Sequence, residues 1–462
     1  PMYIEELTHA LLESDAWRGN KTLSGNELAN VHIPATLQES LAARLDKLGS
    51  AKTLLQVCSL LGREFSYKLL LAVSETGNEK ALKKELARIV DADLLFKRSS
   101  GAELTYKFKH SLIQEAASQS LLKSNRKILH LRIAEAKESR FPEVIEQRPQ
   151  KLAYHFAAGG VPEKAIKYWT IAGRRSVTRS ANLEAIEQAK AGLALVEKLP
   201  ASDARNAMEV PLQSILGSAL LGSKGYTAPE VRDVFTRARA LCEQIGTDEH
   251  LFQVLVGLWM YYEVSAHYAD ALEVGSQLVR IANASGNEGQ LVQAHYARGF
   301  TQFYRGEFEA AKEQFEKALT FEVEGGDYSS QSASGDDTRT HVRCMLAHVY
   351  WHLGFPKTAL RFVEESTELA RSVEQPYAIT FVSFFNGWCH QLRKEPIPAS
   401  SYANECVRLA EENGYGFFVP LGRFIQAWGA NFSVGKMAVI EDEVICDKMR
   451  ALLDISLGSG VG

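Results

Sequence analysis

The sequence predicts an almost wholly α-helical protein, built over its larger part from helix-hairpin repeats, with one short β-hairpin near residue 100. Three observations carry this. Beyond about residue 146 the apolar positions recur at helical spacing, with no alternating strand pattern. Alanines at 271, 311, 359 and 399 follow one another at 40, 48 and 40 residues, a period that marks stacked structural repeats. The runs LLFKRSS and ELTYKFKH, on either side of Ser99, Ser100 and Gly101, are the one convincing hairpin signal.

A chain of 462 residues is too long for a single core, so several domains or an extended array are expected. Hydrophobic content of 46% with 23% charged residues is that of a folded protein. The net charge of −4 provides no overall basic field of the kind that drives nucleic-acid or anionic-membrane binding. Six cysteines (Cys58, Cys242, Cys344, Cys389, Cys406, Cys446) are scattered without a CxxC pair, which fits reduced thiols and a cytoplasmic location. No apolar run approaches the roughly 20 residues that cross a bilayer, and PMYIEELTHALLES lacks the features of a signal peptide. The chain opens on Pro1 in mid-helix pattern and stops at LGSGVG, so it reads as a piece of a longer protein.

Residues 1–30 read as the last helix of an upstream domain and a polar connector. Residues 31–140 predict four amphipathic helices, ATLQESLAARLDKLG, SAKTLLQVCSLLG, YKLLLAVSE and NEKALKKELARIVDADLL, with left-handed caps at Gly49 and Gly62. The hairpin follows, then HSLIQEAASQSLL and NRKILHLRIAEAKESR; helices with a two-stranded wing make a winged helix. Residues 146–200 read as a helical linker with the first repeats, and 201–462 as the repeat array.

A hairpin array needs a small residue where two helices cross, because a methyl group lets the axes approach to about 8–9 Å, and an aromatic to fill the groove beside it. PEKAIKYWTIAG supplies Ala165, Trp169 and Ala172; RGEFEAAKEQFEKAL supplies Gly306, Ala311, Phe315 and Ala318. HVYWHLGFPKTALRFV supplies Ala347, Tyr350, Gly354 and Ala359; Ala271 and Ala399 complete the series. This is the tetratricopeptide pattern. The eight extra residues of the interrupted period fall in EVEGGDYSSQSASGDDT, a Gly/Ser-rich turn. Stacked hairpins leave a concave surface, the basis for expecting a protein or peptide ligand.

Residues 34–140 with LAYHFAAGGVPEKAIKYWTIAGRRSVTRSANLEAIEQAKAGLALVEKLP, and then SILGSALLGSKGYTAPEVRDVFTRARALCEQIG and MLAHVYWHLGFPKTAL, resemble the region after the nucleotide-binding domain of bacterial STAND-class signalling ATPases. The resemblance is greatest to those with an N-terminal class III adenylate/guanylate cyclase domain and C-terminal tetratricopeptide repeats. It implies that residues 1–30 end the ATPase's helical lid, that an upstream ATPase domain is a partner, and that ATP or ADP with Mg is held by the parent protein rather than by this chain. It also implies that Pro1 ends a GNP-type motif against the nucleotide and that His110, in FKHSLIQEAASQSLL, faces the diphosphate of bound ADP. An imidazole suits that role, since it donates to phosphate and titrates near neutrality. A wing-end residue satisfied by backbone is the alternative for His110. Where Ser118 stands the family carries an aromatic.

No GxxxxGK[ST] phosphate loop is present and no catalytic residue is assigned. Cys344, His348 and His352 share one helix, but a drift of about 40° per i,i+4 step strains a single metal site, and none is expected. The basic residues Lys80, Lys83, Lys84, Arg88, Lys97, Arg98, Lys107 and Lys109 read as a solvated face rather than a DNA reader. The aromatic runs WMYYE and FVSFFNGWCHQL read as core. The expected function is a regulatory, protein-interacting region of a signal-transduction ATPase. A DNA-binding regulator of the same class and a free-standing repeat scaffold are the alternatives.

Overall fold

A computed structural model describes residues 37–433 apart from 75–78, 101, 102, 180, 226, 247–249, 323–327 and 329–336. These residues form 21 helices and one three-stranded sheet, and they divide into two compact units between Tyr168 and Trp169.

The first unit begins with α1 (Leu37–Lys47) and α2 (Ala51–Leu61), then β1 (Glu64–Ser66), α3 (Tyr67–Val73) and α4 (Glu79–Asp91). The hairpin β2 (Leu95–Ser100) and β3 (Glu103–Phe108) comes next, followed by α5 (Ser111–Gln119), α6 (Lys123–Arg140), α7 (Pro142–Gln147) and α8 (Pro149–Ala158). The sheet has one strand more than the predicted pair. Its order is β1-β3-β2, with Phe65 opposite Tyr106 and Leu95 opposite Phe108. Phe65 is buried against the rings of Tyr106 and Phe108, at 6.1 and 6.3 Å, and this burial recruits a three-residue segment too short to show alternation. Ser66 caps α3 by accepting from the Leu69 N–H at 3.2 Å. Gly49 is left-handed (φ +57°), whereas Gly62 lies at φ +129°, ψ 177°, an extended region open essentially to glycine alone and not the left-handed cap expected. Leu55, Leu70, Leu82, Leu86, Ile89 and Phe108 form the core.

The helix α9 (Pro162–Thr178) contains the division between the units. The second unit continues with α10 (Asn182–Val196), α11 (Asp203–Lys224) and α12 (Pro229–Ile245). Then come hairpins α13/α14 (Leu251–Val264, Tyr268–Ser285), α15/α16 (Glu288–Tyr304, Phe308–Leu319), α17/α18 (Thr338–His352, Pro356–Val373) and α19/α20 (Pro376–Leu392, Pro396–Asn413), and finally α21 (Phe418–Ser433). Its core includes a long cluster from Ala185 to Phe418 and a smaller one of Ala399, Ala403 and Ile425.

One turn geometry recurs. Gly160, Ala266, Gly306, Gly354 and Lys394 are all left-handed, at φ +77°, +57°, +77°, +84° and +61°. Each stands five residues before a fully buried alanine: Ala165, Ala271, Ala311, Ala359 and Ala399. In every case the next residue's N–H (Val161, His267, Glu307, Phe355, Glu395) donates to the carbonyl five residues back, at 2.8–3.0 Å. This paired closure of a helix C-terminus is a Schellman motif. It fixes the angle at which the second helix returns, so that the alanine arrives at the crossing point each time. The second unit is thus a tetratricopeptide-like helical solenoid.

Candidate functional site

The first helices of the hairpins, α13, α15, α17 and α19, are buried around most of their girth, while α14, α16, α18 and α20 each keep an exposed face. Leucines, valines and aromatics on several sides of one helix demand neighbours on several sides. Rings bridge across the intervening helix: Phe300 lies 6.3 Å from Phe385 and Phe303 lies 6.5 Å from Trp388, joining α15 to α19 past α17. The rings of WMYYE and FVSFFNGWCHQL are therefore mostly core; Trp259, Tyr261, Phe381 and Phe385 are buried. The first helices of successive hairpins are thus packed together by their own aromatics.

Polar groups punctuate this spine. Trp259 donates its indole N–H to Thr301 Oγ1 at 3.0 Å, and the Thr301 hydroxyl donates to Glu263 Oε2 at 2.7 Å. Burial pushes the Glu263 carboxyl up to about 7, opposed by the Thr301 hydrogen bond. Asn386 accepts from the Cys344 thiol at 3.4 Å and donates to the Val363 carbonyl, Ser366 and Thr367. His348 Nε2 is 2.7 Å from the Phe385 carbonyl, so that nitrogen carries the proton; burial depresses the imidazole to about 4. His352 Nδ1 turns to the His348 carbonyl at 2.8 Å, and Cys344, His348 and His352 do not converge. His341 stacks on Phe381 with centroids 3.7 Å apart. Burial pushes the thiols of Cys389 and Cys406 up to about 12, and five cysteines are buried without disulfides among the described residues.

A cavity of about 280 Å³ lies among α10, α11 and α12, lined by Leu193, Val196, Glu197, Arg205, Glu209, Gln213 and Arg237. Arg237 grips both oxygens of Glu209 at 2.9 and 3.1 Å, and Gln213 donates to the same carboxylate at 3.1 Å. The hydrogen bonds from Arg237 and Gln213 outweigh burial and hold Glu209 below the usual carboxylate range. Arg205 reaches the Val196 carbonyl at 3.0 Å.

Among the residues singled out in the sequence, Ala165, Ala172, Ala271, Ala311, Phe315, Ala318, Ala347, Ala359 and Ala399 are buried. Trp169 and Tyr350 are half-buried, and Gly306 and Gly354 occupy the left-handed turns. Phe315 lies so near Gly299 that a Cβ there would sit 2.8 Å from the ring. His110 stands half-buried at the start of α5 (φ −132°, ψ 147°), and its side chain does not cap that helix. Pro1 lies outside the described residues. The basic residues are partly committed to internal contacts: Lys83 with Glu79 at 2.7 Å, Lys109 with Asp93, and Arg88 with the Leu48 carbonyl. Sequence reasoning missed Glu263 with Thr301, the Arg205/Glu209/Arg237 cluster, and the buried trio His130, Lys137 and His155. Partners 18 to 42 residues apart in the chain leave no local signature; the one visible hint was an acid closing the apolar run WMYYE.

No family model matches the chain. An uncharacterized protein of Rhizobium meliloti (strain 1021) is 25% identical over 284 residues, covering 60% of this chain and 27% of that protein, so the chain matches about a quarter of its relative's length. Among solved structures, a signal transduction ATPase with numerous domains (STAND) protein with a tetratricopeptide repeat sensor from Pyrococcus horikoshii is similar at 12% identity and TM-score 0.37, with 91% and 68% of the two chains covered. A Rap protein complexed with competence and sporulation factor is similar at 12% identity and TM-score 0.42, covering 89% and 99%. A Rap conjugation gene regulator of plasmid pLS20 in complex with the Phr* peptide is similar at 12% identity and TM-score 0.41, covering 87% and 98%. At these values the likenesses assign no ligand or activity to this chain. Its own geometry makes it a tetratricopeptide-like helical-repeat protein preceded by a small mixed helix-and-sheet unit.

Proposed function

We propose that the chain is the regulatory and protein-interaction region of a multidomain signal-transduction ATPase, whose repeats receive a protein or peptide partner. The observation that carries this is the recurrence of one turn and one buried alanine in hairpin after hairpin, an architecture that builds surface rather than a catalytic pocket. The first unit, with its order of helices and strands and its hairpin β2–β3, is read as a winged helix that couples partner binding to the state of an upstream ATPase domain. His110, at the start of a nine-residue helix and not used to cap it, suits a place facing a diphosphate. The ATP or ADP, its Mg and the hydrolytic chemistry belong to that other domain. A class III adenylate/guanylate cyclase domain further upstream and a cytoplasmic location complete the reading.

Two measurements test it. Selection from a peptide library on the immobilised chain is expected to return binders, and the pure chain is expected to turn over neither ATP nor GTP. Steady hydrolysis or cyclisation by pure protein would overturn the reading. Retention of DNA with sequence preference and a steep salt slope would favour the alternative, a DNA-binding regulator read through Lys97, Arg98 and Lys107.

A further inference from the structure

The junction of α13, α14 and α15 holds a carboxylate that the fold leaves half satisfied. Glu263 is 5% exposed. Its Oε2 accepts from Thr301, while Oε1 is buried without a hydrogen-bond partner, and no ion pair to it forms among the described residues. An unpaired acceptor at such depth is costly, and a cationic partner arriving from outside would relieve that cost. The surface beside it is aromatic. Tyr268 and Tyr304 lie nearly parallel, 12° apart with centroids at 6.3 Å, and Phe300 meets Tyr304 at 4.9 Å. Tyr304 is 38% exposed and Tyr268 half-buried, so both rings reach solvent while Glu263, within electrostatic reach of them, does not. Burial, and after it the charge of Glu263, raise both phenols, which places the carboxyl within electrostatic reach of the two rings.

We infer that this corner is an anchor for one lysine or arginine side chain of a peptide partner, its cationic head lying between the Glu263 carboxylate and the rings of Tyr268 and Tyr304. The inference rests on reading the repeats as a peptide-binding surface. Aromatic faces attract cations, and a desolvated carboxylate gives the strong, charge-assisted hydrogen bond that such a head requires. A metal ion is disfavoured because no group of three His, Cys, Asp or Glu able to hold one occurs among the described residues. Since burial holds Glu263 near neutrality, arrival of a cation also expels its proton.

The test uses the full chain and a randomised dodecapeptide library. Binders are expected to share a lysine or arginine whose change to alanine weakens binding at least tenfold on the native protein and little on Glu263→Gln, which keeps the acceptor for Thr301. Tyr304→Ala should weaken the same peptides and Tyr304→Phe should not, since the ring and not the hydroxyl faces the cation. Calorimetry in two buffers of different ionisation enthalpy should show proton release near pH 7 that Glu263→Gln lacks. Binders without a shared cation, or equal affinity for Glu263→Gln, overturn this inference and leave the peptide-binding reading standing. A free polyamine that displaces none of the peptides also overturns it, and a library without binders overturns both.

Discussion

Lys137 Nζ lies 2.9 Å from His155 Nε2, and this contact sets the protonation of a buried chain of three side chains on α6 and α8. An ammonium can only donate, so His155 Nε2 is an acceptor and its proton sits on Nδ1. That proton points at His130 Nδ1, 2.9 Å away, which must accept in turn and leaves His130 protonated on Nε2. Both imidazoles are therefore neutral. Burial, then Arg126 and Lys137, hold His130 down to about 4; burial, then Lys137 and His130, hold His155 down to about 2. Burial lowers Lys137 itself to about 8.

Acid should loosen this junction well above the carboxylate range. Unfolded histidine titrates near 6.5, so below that pH the unfolded chain binds protons that the folded chain refuses, and stability falls as pH drops from 6.5 toward 4. His130 alone contributes up to ~3 kcal/mol of this loss by pH 4. Melting temperature followed from pH 7.5 to 4.5 should fall steeply in the native protein and less in His130→Asn, which cannot take up the proton.

The left-handed turns should separate backbone strain from packing. A Cβ at Gly306 or Gly354 meets nothing within 4 Å, so Gly306→Ala or Gly354→Ala should cost only the left-handed penalty, about 1 kcal/mol. Ala266→Gly and Lys394→Gly, at the same place in other hairpins, should be neutral or slightly stabilising. Urea unfolding with an unchanged m-value is the check.

Phe235 on α12 is clasped between two glycines. A Cβ would approach its ring to 2.5 Å at Gly217 on α11 and to 2.2 Å at Gly257 on α13. Gly257→Ala should destabilise the second unit by ~1–3 kcal/mol through overpacking. Combined with Phe235→Leu the cost should be less than the sum of the two single changes, a coupling that a double-mutant cycle measures.

The crossing alanines admit no larger side chain. Ala311→Leu, at a fully buried crossing beside Phe315, should destabilise by ~3 kcal/mol or more, whereas Lys312→Leu on the same helix should change stability by less than ~0.5 kcal/mol. Thermal unfolding of the two variants discriminates them.

The helices and the period were legible because apolar spacing and small residues are local properties of the chain. The turns were legible only where glycine marks them: Ala266 and Lys394 adopt the left-handed conformation because the hairpin closure on either side requires it, and neither residue type announces it. The strand at Glu64–Ser66 was hidden because three residues hold no period, and its pairing depends on Tyr106 and Phe108 some 40 residues later. Pro211 sits inside α11 without ending it, where a sequence rule would break the helix. The polar contacts of Glu263 and of the Lys137 chain were invisible for the same reason that makes them informative: each joins separate helices.

The turn inside each hairpin has one length and one hydrogen-bonded form, whereas the chain between the end of α16 at Leu319 and the start of α17 at Thr338 is far longer than the short links that join α14 to α15 and α18 to α19. Length variation therefore lies in that joint and in α16, which has 12 residues where α14, α18 and α20 have 18, and not in the hairpin turns. A genetically inserted reporter or cleavage site belongs at such a joint, where the chain can be lengthened or cut while the hairpins on both sides keep their internal register.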